Sequence, residues 1–146
     1  MTGNSRYTIA LHVLTWMALV ARRGRDLVTS EQIAGSVNTN PVFLRRVLGP
    51  LREAGLVSSQ RGSGAGWRLA RPAAEITLAQ VYQAMADQPL FPMHRGEPNP
   101  DCPVGHGIRP ALAPLYRAAE DALTRQLAGT TIEDLLADTL RQHAAS

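Results

Sequence analysis

Apolar residues recur with a helical period in six stretches of this chain, alternate briefly in two, and lose all period between Asp87 and Gly107. The first stretch runs from Asn4 or Ser5 to about Arg22, with Gly24 as its stop. Ile9, Val13, Met17 and Val20 share one side while Leu11, Leu14, Trp16 and Leu19 occupy others, so this helix needs cover on more than one face. A second helix opens at Thr29, whose hydroxyl can accept from the amide three residues on while Gln32 reaches back, a T-x-x-Q capping box. Ile33, Ala34 and Val37 form its inner face. The break Asn38-Thr39-Asn40-Pro41 is short, because Asn40 is a preferred N-cap and Pro41 at the first helical position gives up only an amide that had no partner. In the third helix Phe43, Leu44, Val47, Leu48 and Leu51 point inward, leaving Val42, Arg45, Arg46 and Arg52 outward. Pro50 inside it predicts a kink, and Gly55 marks its end.

Leu56–Ser59 and Trp67–Leu69 read as short strands around a tip containing Gly62, Gly64 and Gly66, where the backbone can turn sharply and approach a surface closely. Pro72 closes the second strand, and Thr77 with Gln80 makes another capping box ahead of Leu78, Val81, Tyr82 and Met85. Residues 87–107 hold Pro89, Pro92, Pro98, Pro100 and Pro103 and read as a long loop of the kind that usually has a function. Ile108, Leu112, Leu115, Ala119, Ala122, Leu123 and Leu127 then line a long helix suited to pairing with a partner helix. Pro110 and Pro114 predict either a kink there or a regular helix only from about Ala113. A last helix starts at Thr130, capped with Glu133, and buries Ile132, Leu135, Leu136 and Leu140. The fold class is therefore mainly α with a small β-wing. One integrated domain is divided into residues 1–86, the loop 87–107, and residues 108–146, the dimerisation helix and C-terminal helix.

Helix, tight turn, helix, strand, glycine tip and strand, in that order, spell a winged helix-turn-helix, whose second helix meets a DNA major groove. Thr29, Thr39, Asn40, Val42, Phe43, Arg45, Arg46 and Arg52 are the candidate DNA-binding residues of the two helices, and Arg61, Ser63, Gly64, Ala65 and Arg68 those of the wing. Charge agrees with this placement. The chain has no lysine, and residues 1–71 hold ten arginines against Asp26, Glu31 and Glu53, a balance of +7, while residues 72–146 stand at −4 with five arginines and nine acids. The glycine tip is not a nucleotide cradle, because it joins two strands and no helix or G-K-[ST] follows. The alternative is a winged-helix module that docks a protein and leaves its arginines solvated.

Leu51-Arg52-Glu53-Ala54-Gly55-Leu56-Val57, the run from Arg61 through Trp67-Arg68-Leu69-Ala70-Arg71-Pro72, and Glu75-Ile76-Thr77-Leu78 resemble the Rrf-two (Rrf2) family of bacterial regulators, which includes iron-sulfur, nitric-oxide-responsive and cysteine-metabolism repressors. The resemblance extends from Tyr7 to the Cys102-Pro103-Val104-Gly105 segment and the long helix after it. It implies a homodimeric repressor on a double-stranded, near-palindromic DNA operator. The partner's long helix would cover the second side of the first helix, and Ile108, Leu112, Leu115, Ala119, Ala122 and Leu123 would form the dimer interface. The family often has an acidic residue where Arg45 stands, so its usual base preference does not transfer. The inducer is not identified by the resemblance.

At 146 residues the chain can bury a core, yet a long dimerisation helix would need a partner to cover it. The single cysteine excludes an internal disulfide framework and any zinc site needing several thiolates, which fits a reducing cytoplasm. Met1 to Arg6 lacks the layout of a signal peptide, and the apolar run Ile9 to Ala21 falls short of the ~20 residues that cross a bilayer, so no membrane association is expected. Cys102 and His106 lack an acidic orienter or oxyanion signature, so no catalytic residues are assigned and an enzyme is not expected. Iron-sulfur members of the family use three cysteines in this loop, and two are missing here, so neither a cluster nor another metal cofactor is expected. A mixed site taking His12 from one subunit and Cys102 from the other is the alternative. His12 otherwise reads as a satisfied core histidine, and His143 as a solvated tail residue. Cys102, just before a helix start and near His106, is a candidate redox sensor, since both neighbours favour thiolate; the competing reading is an inert remnant of a cluster loop.

Overall fold

The computed structural model describes residues 5–146, so Asn4, the alternative helix start, lies outside the described residues. Helix α1 (Ser5–Arg22) buries Ala10, Val13, Leu14, Met17 and Ala18, a stripe at spacings of three and four. It packs on α2 (Ser30–Val37), α3 (Pro41–Glu53), α4 (Leu78–Met85) and α6 (Ile132–Ala145), so the second side of α1 is covered in part by the chain's own last helix. Leu14, Met17, Ile33, Leu44, Leu48, Leu51, Leu56, Ile76 and Ile132 are the largest fully buried side chains of this core. Burying a side chain of this size is worth about 1.5–3 kcal/mol, which is what fixes α2 and α3 to the helices around them.

Thr29 caps α2 as the pattern requires: its Oγ1 accepts from the Gln32 amide at 3.1 Å, and Gln32 Oε1 accepts from the Thr29 amide at 3.0 Å. Asn38 ends α2 at φ +63, a conformation that asparagine adopts more readily than most side chains. Asn40 Oδ1 then accepts from the Phe43 amide at 2.8 Å and starts α3, with Pro41 in its first turn. The helix continues through Pro50 to Glu53. At its end Leu56 N donates to Leu51 O at 2.9 Å and Gly55 N to Arg52 O at 3.0 Å, a Schellman closure around Gly55 at φ +76.

Strands β1 (Val57–Gln60) and β2 (Gly66–Leu69) are antiparallel, with Val57 opposite Leu69 and Gln60 opposite Gly66. Val28 adds a bridge on the far side of β2, exchanging both hydrogen bonds with Trp67 at 2.9 and 2.7 Å. Gly66 is therefore not a surface-approach residue of the tip: a Cβ there would lie 2.6 Å from the Val28 carbonyl oxygen. Only Gly62 and Gly64, at φ +84 and +77, belong to the turn itself.

Other boundaries also move from their expected places, β1 running Val57–Gln60 where Leu56–Ser59 was expected. The last helix is capped by Thr131 with Asp134, not by Thr130 with Glu133. The cause is a backbone pairing: Leu78 N donates to Thr130 O at 2.9 Å and Ile132 N to Ile76 O at 2.8 Å, setting the two capping residues Thr77 and Thr131 side by side. Helix α5 (Pro103–Ala128) begins ahead of the expected start, placing Pro103–Gly107 in the helix, and runs without interruption past Pro110 and Pro114. Those two prolines lie one turn apart on an exposed edge, where water can satisfy the carbonyls they leave unpaired. The preceding loop is strapped to α5: Arg109 donates to the carbonyls of His94 and Gly96 at 3.1 and 2.5 Å, Leu90 N to Glu120 Oε1 at 3.0 Å, and Phe91 stacks on Tyr116 with ring centres 4.9 Å apart.

Candidate nucleic-acid interface

Helix α3 presents Val42, Arg45 and Arg46 to solvent, Val42 with 62% of its surface exposed, while Leu44, Val47, Leu48 and Leu51 on the opposite side are buried. This division follows from the sequence, since residues three and four apart share a face. The side chains of Arg45 and Arg46 make no ion pair or hydrogen bond among the described residues, which leaves their donors available to a ligand. Asn40 and Thr29 have committed an oxygen each to capping, so their remaining donors are the Asn40 amide group and the Thr29 hydroxyl hydrogen. Thr39 is half-buried in the turn, and Phe43, also half-buried, packs against the core.

Arg52 is held differently from the other arginines. Its Nη1 donates to Ser59 Oγ at 3.2 Å, and its guanidinium lies 5.4 Å from the centre of the Trp67 ring. Trp67 in turn donates from Nε1 to Ser30 Oγ at 3.2 Å. These contacts lock the end of α3, the wing and the first turn of α2 together, so Arg52 orients the wing as well as carrying charge. Sequence reading missed Trp67 and Ser59 in this role; the one signal was an arginine and a tryptophan on elements that must meet. At the wing, Arg61, Ser63, Gly64 and Ala65 are exposed, and Arg68 donates across the ladder to Gln60 Oε1 at 3.3 Å.

Elsewhere, His12 is an exposed residue of α1 with Nε2 3.0 Å from Ser36 Oγ, not the core histidine expected, because it falls between the buried positions of that helix. His143 lies exposed in α6. Cys102 is the half-buried N-cap residue of α5, and the open amides of Gly105 and then Val104 hold its thiol below the ordinary value, against a smaller opposing effect of burial. The helix end, not His106, is the cause. Gly105 has to be glycine here, since a Cβ would meet the Asn99 carbonyl oxygen at 2.1 Å. On α5 no residue is buried; Leu115 is 64% exposed, Ala119 and Ala122 are exposed, and Ile108, Leu112 and Leu123 are half-exposed. No helix among the described residues is long and apolar enough to cross a membrane.

Residues 4–138 match the sequence profile of Rrf2, described as an iron-dependent transcriptional regulator. Over 134 residues, 91% of this chain and 96% of the relative, the chain is 37% identical to YwnA of Bacillus subtilis (strain 168), a protein named for an HTH-type transcriptional regulator. A solved structure described as a DNA binding protein is similar with a TM-score of 0.69 at 32% identity, covering 90% of this chain and 98% of that one. The oxidised form of Staphylococcus aureus CymR is similar at 26% identity and a TM-score of 0.62, over 93% of this chain and 96% of that chain. Cys102 is the only cysteine of the chain, so the three-cysteine ligand set is not present in it, and among the described residues of the single chain no three His, Cys, Asp or Glu side chains converge.

Proposed function

The chain belongs to the Rrf2 family of DNA-binding transcriptional regulators, and on that premise we propose that it acts as a homodimeric repressor reading a near-palindromic operator with Arg45 and Arg46. The observation that carries this reading is the exposed, unengaged arginine pair on a helix whose other side is fully buried. The wing adds Arg61 and a backbone tip beside it, suited to phosphate or the neighbouring minor groove. Dimerisation is supported by α5, which exposes an apolar side along its length. Selection from random DNA with the purified protein tests the reading. It should return a palindrome with half-sites about one helical turn apart, or a multiple, and affinity should fall steeply with salt, by about 0.9 in log-log slope per phosphate contacted. Unselective binding with a flat salt response would point to the protein-docking alternative.

Cys102 enters the proposal as a thiol sensor. Its lowered pKa and position at the head of α5 support it, as does the existence of an oxidised form in the similar CymR. With hydrogen peroxide the thiolate would attack one oxygen, the O–O bond would break, and sulfenic acid and hydroxide would result. Cys102→Ser and wild type are then compared on the selected operator with and without mild peroxide. Only wild type should respond, and equal behaviour of the two proteins would remove Cys102 as the sensor.

A further inference from the structure

Pro50 has no amide hydrogen, so within α3 the carbonyl of Arg46 lacks the partner that closes an ordinary helical turn. The missing bond falls on the turn that carries the two reading arginines. Arg6 of α1 supplies a substitute: its Nη2 donates to Arg46 O at 3.4 Å while Nη1 pairs with Asp87 at 3.4 Å. Asp87 opens the segment that leads, along the strapped loop, to Cys102, and Arg6 and Asp87 both line a cleft of about 410 Å³ against Tyr7 and Tyr82. The Arg6 Nε is buried without a partner, so the guanidinium is held by these two contacts and its own packing. With Asp87 75% exposed, the ion pair alone contributes little. The bond to the carbonyl differs in kind, because it is a direct charged link from α1 to the main chain of α3, and without it that exposed acceptor is left to water and the turn loses its tie to α1.

We propose that Arg6 is a positioning residue for DNA recognition, supplying to α3 the hydrogen bond that Pro50 removes and thereby coupling the reading turn to the segment that begins at Asp87. The proposal rests on α3 being the DNA-reading helix. Its consequence is specific: Arg6 should matter to DNA binding only while position 50 is proline. Restoring an amide there closes the turn from within, and the arginine becomes dispensable.

A double-mutant cycle tests this on a duplex selected by the wild-type protein, at fixed salt. Arg6→Ala alone should weaken binding roughly tenfold. In a Pro50→Ala background, which should itself bind within about threefold of wild type, the same change should alter binding less than twofold. Asp87→Asn should show a smaller loss with the same dependence on position 50. Equal losses from Arg6→Ala in both backgrounds overturn the proposal; if the salt slope also drops by about one, Arg6 is instead a phosphate contact. Loss of binding by Pro50→Ala overturns it too, since a regular turn would then not replace the arginine. Should Arg6→Ala fail to fold, a double variant that melts cooperatively and binds supports the coupling, and one that stays unfolded refutes it. Failure of wild type to select any duplex would count against the DNA-reading assignment, a result distinguishable from all of these.

Discussion

Gly66 and Tyr7 show how single positions set the scaffold on which α3 and the wing are mounted. A side chain at Gly66 would push into the Val28 carbonyl and break the bridge that ties β2 to the segment before α2. Gly66→Ala should therefore lower stability by about 1–3 kcal/mol, measurable as a fall in denaturation midpoint, and should loosen the wing. Gly62→Ala strains only the tip, at about 1–2 kcal/mol, and should leave the Val28–Trp67 pairing intact by amide exchange. Tyr7 donates its hydroxyl to Leu78 O at 2.9 Å and stacks edge-on against Tyr82. Burial, and then the neighbouring Tyr82, push the Tyr7 hydroxyl up to about 12. A proton held more tightly in the folded state gives stability that is complete below the ordinary tyrosine value near 10 and lost as pH rises through about 12. Absorbance titration should show one late tyrosine that Tyr7→Phe removes; an unchanged titration would reject the assignment. Neither residue's role was legible in sequence. A glycine in a strand and a tyrosine in a helix show what they contact only once the chain is folded.

Elements were read more faithfully than their ends. The capping boxes at Thr29 and Thr77, the Asn40-Pro41 start and the stop at Gly55 stand where the pattern put them, because capping uses residues within one turn and is local chemistry. Thr131 displaced Thr130 because two threonines in succession offered equal caps and a distant strand-like pairing chose between them. The same reasoning separates the arginines. That Arg45 and Arg46 face solvent follows from helical spacing alone, whereas the engagement of Arg52 with Ser59 and Trp67 depends on how the wing folds back. On the selected operator, Arg45→Ala and Arg46→Ala should each reduce sequence discrimination by about 1–3 kcal/mol where the side chain is bidentate to guanine. Arg61→Ala should instead weaken selected and random duplexes alike, as a phosphate contact does. Competition titrations separate these outcomes, and a loss confined to one base position would make Arg61 a direct reader.

At the scale of the whole molecule, charge is biased along the sequence: residues 1–71, which hold the helix-turn-helix and wing, carry a balance of +7, while residues 72–146, which hold α5 and α6, stand at −4, a bias that on the proposed reading would favour a duplex at the helix-turn-helix. Along α5, Val104 and Leu115 are 67% and 64% exposed, and an apolar side on a helix of 26 residues is a surface that a second copy would cover. Two-fold pairing along that helix would set the two α3 helices at a fixed separation, and ~34–36 Å is what successive major-groove half-sites require. Leu115→Glu tests this without touching the core, because the side chain it replaces is largely solvated in the single chain. Light scattering should show the dimer dissociating at micromolar concentration, while thermal unfolding of the remaining monomer stays cooperative. Affinity for the palindrome should fall towards that for an isolated half-site, since the gain from binding two linked half-sites at once disappears. If the variant stays dimeric and keeps full affinity, α5 is not the seat of the dimer, and the spacing of the two reading helices must be set by another face.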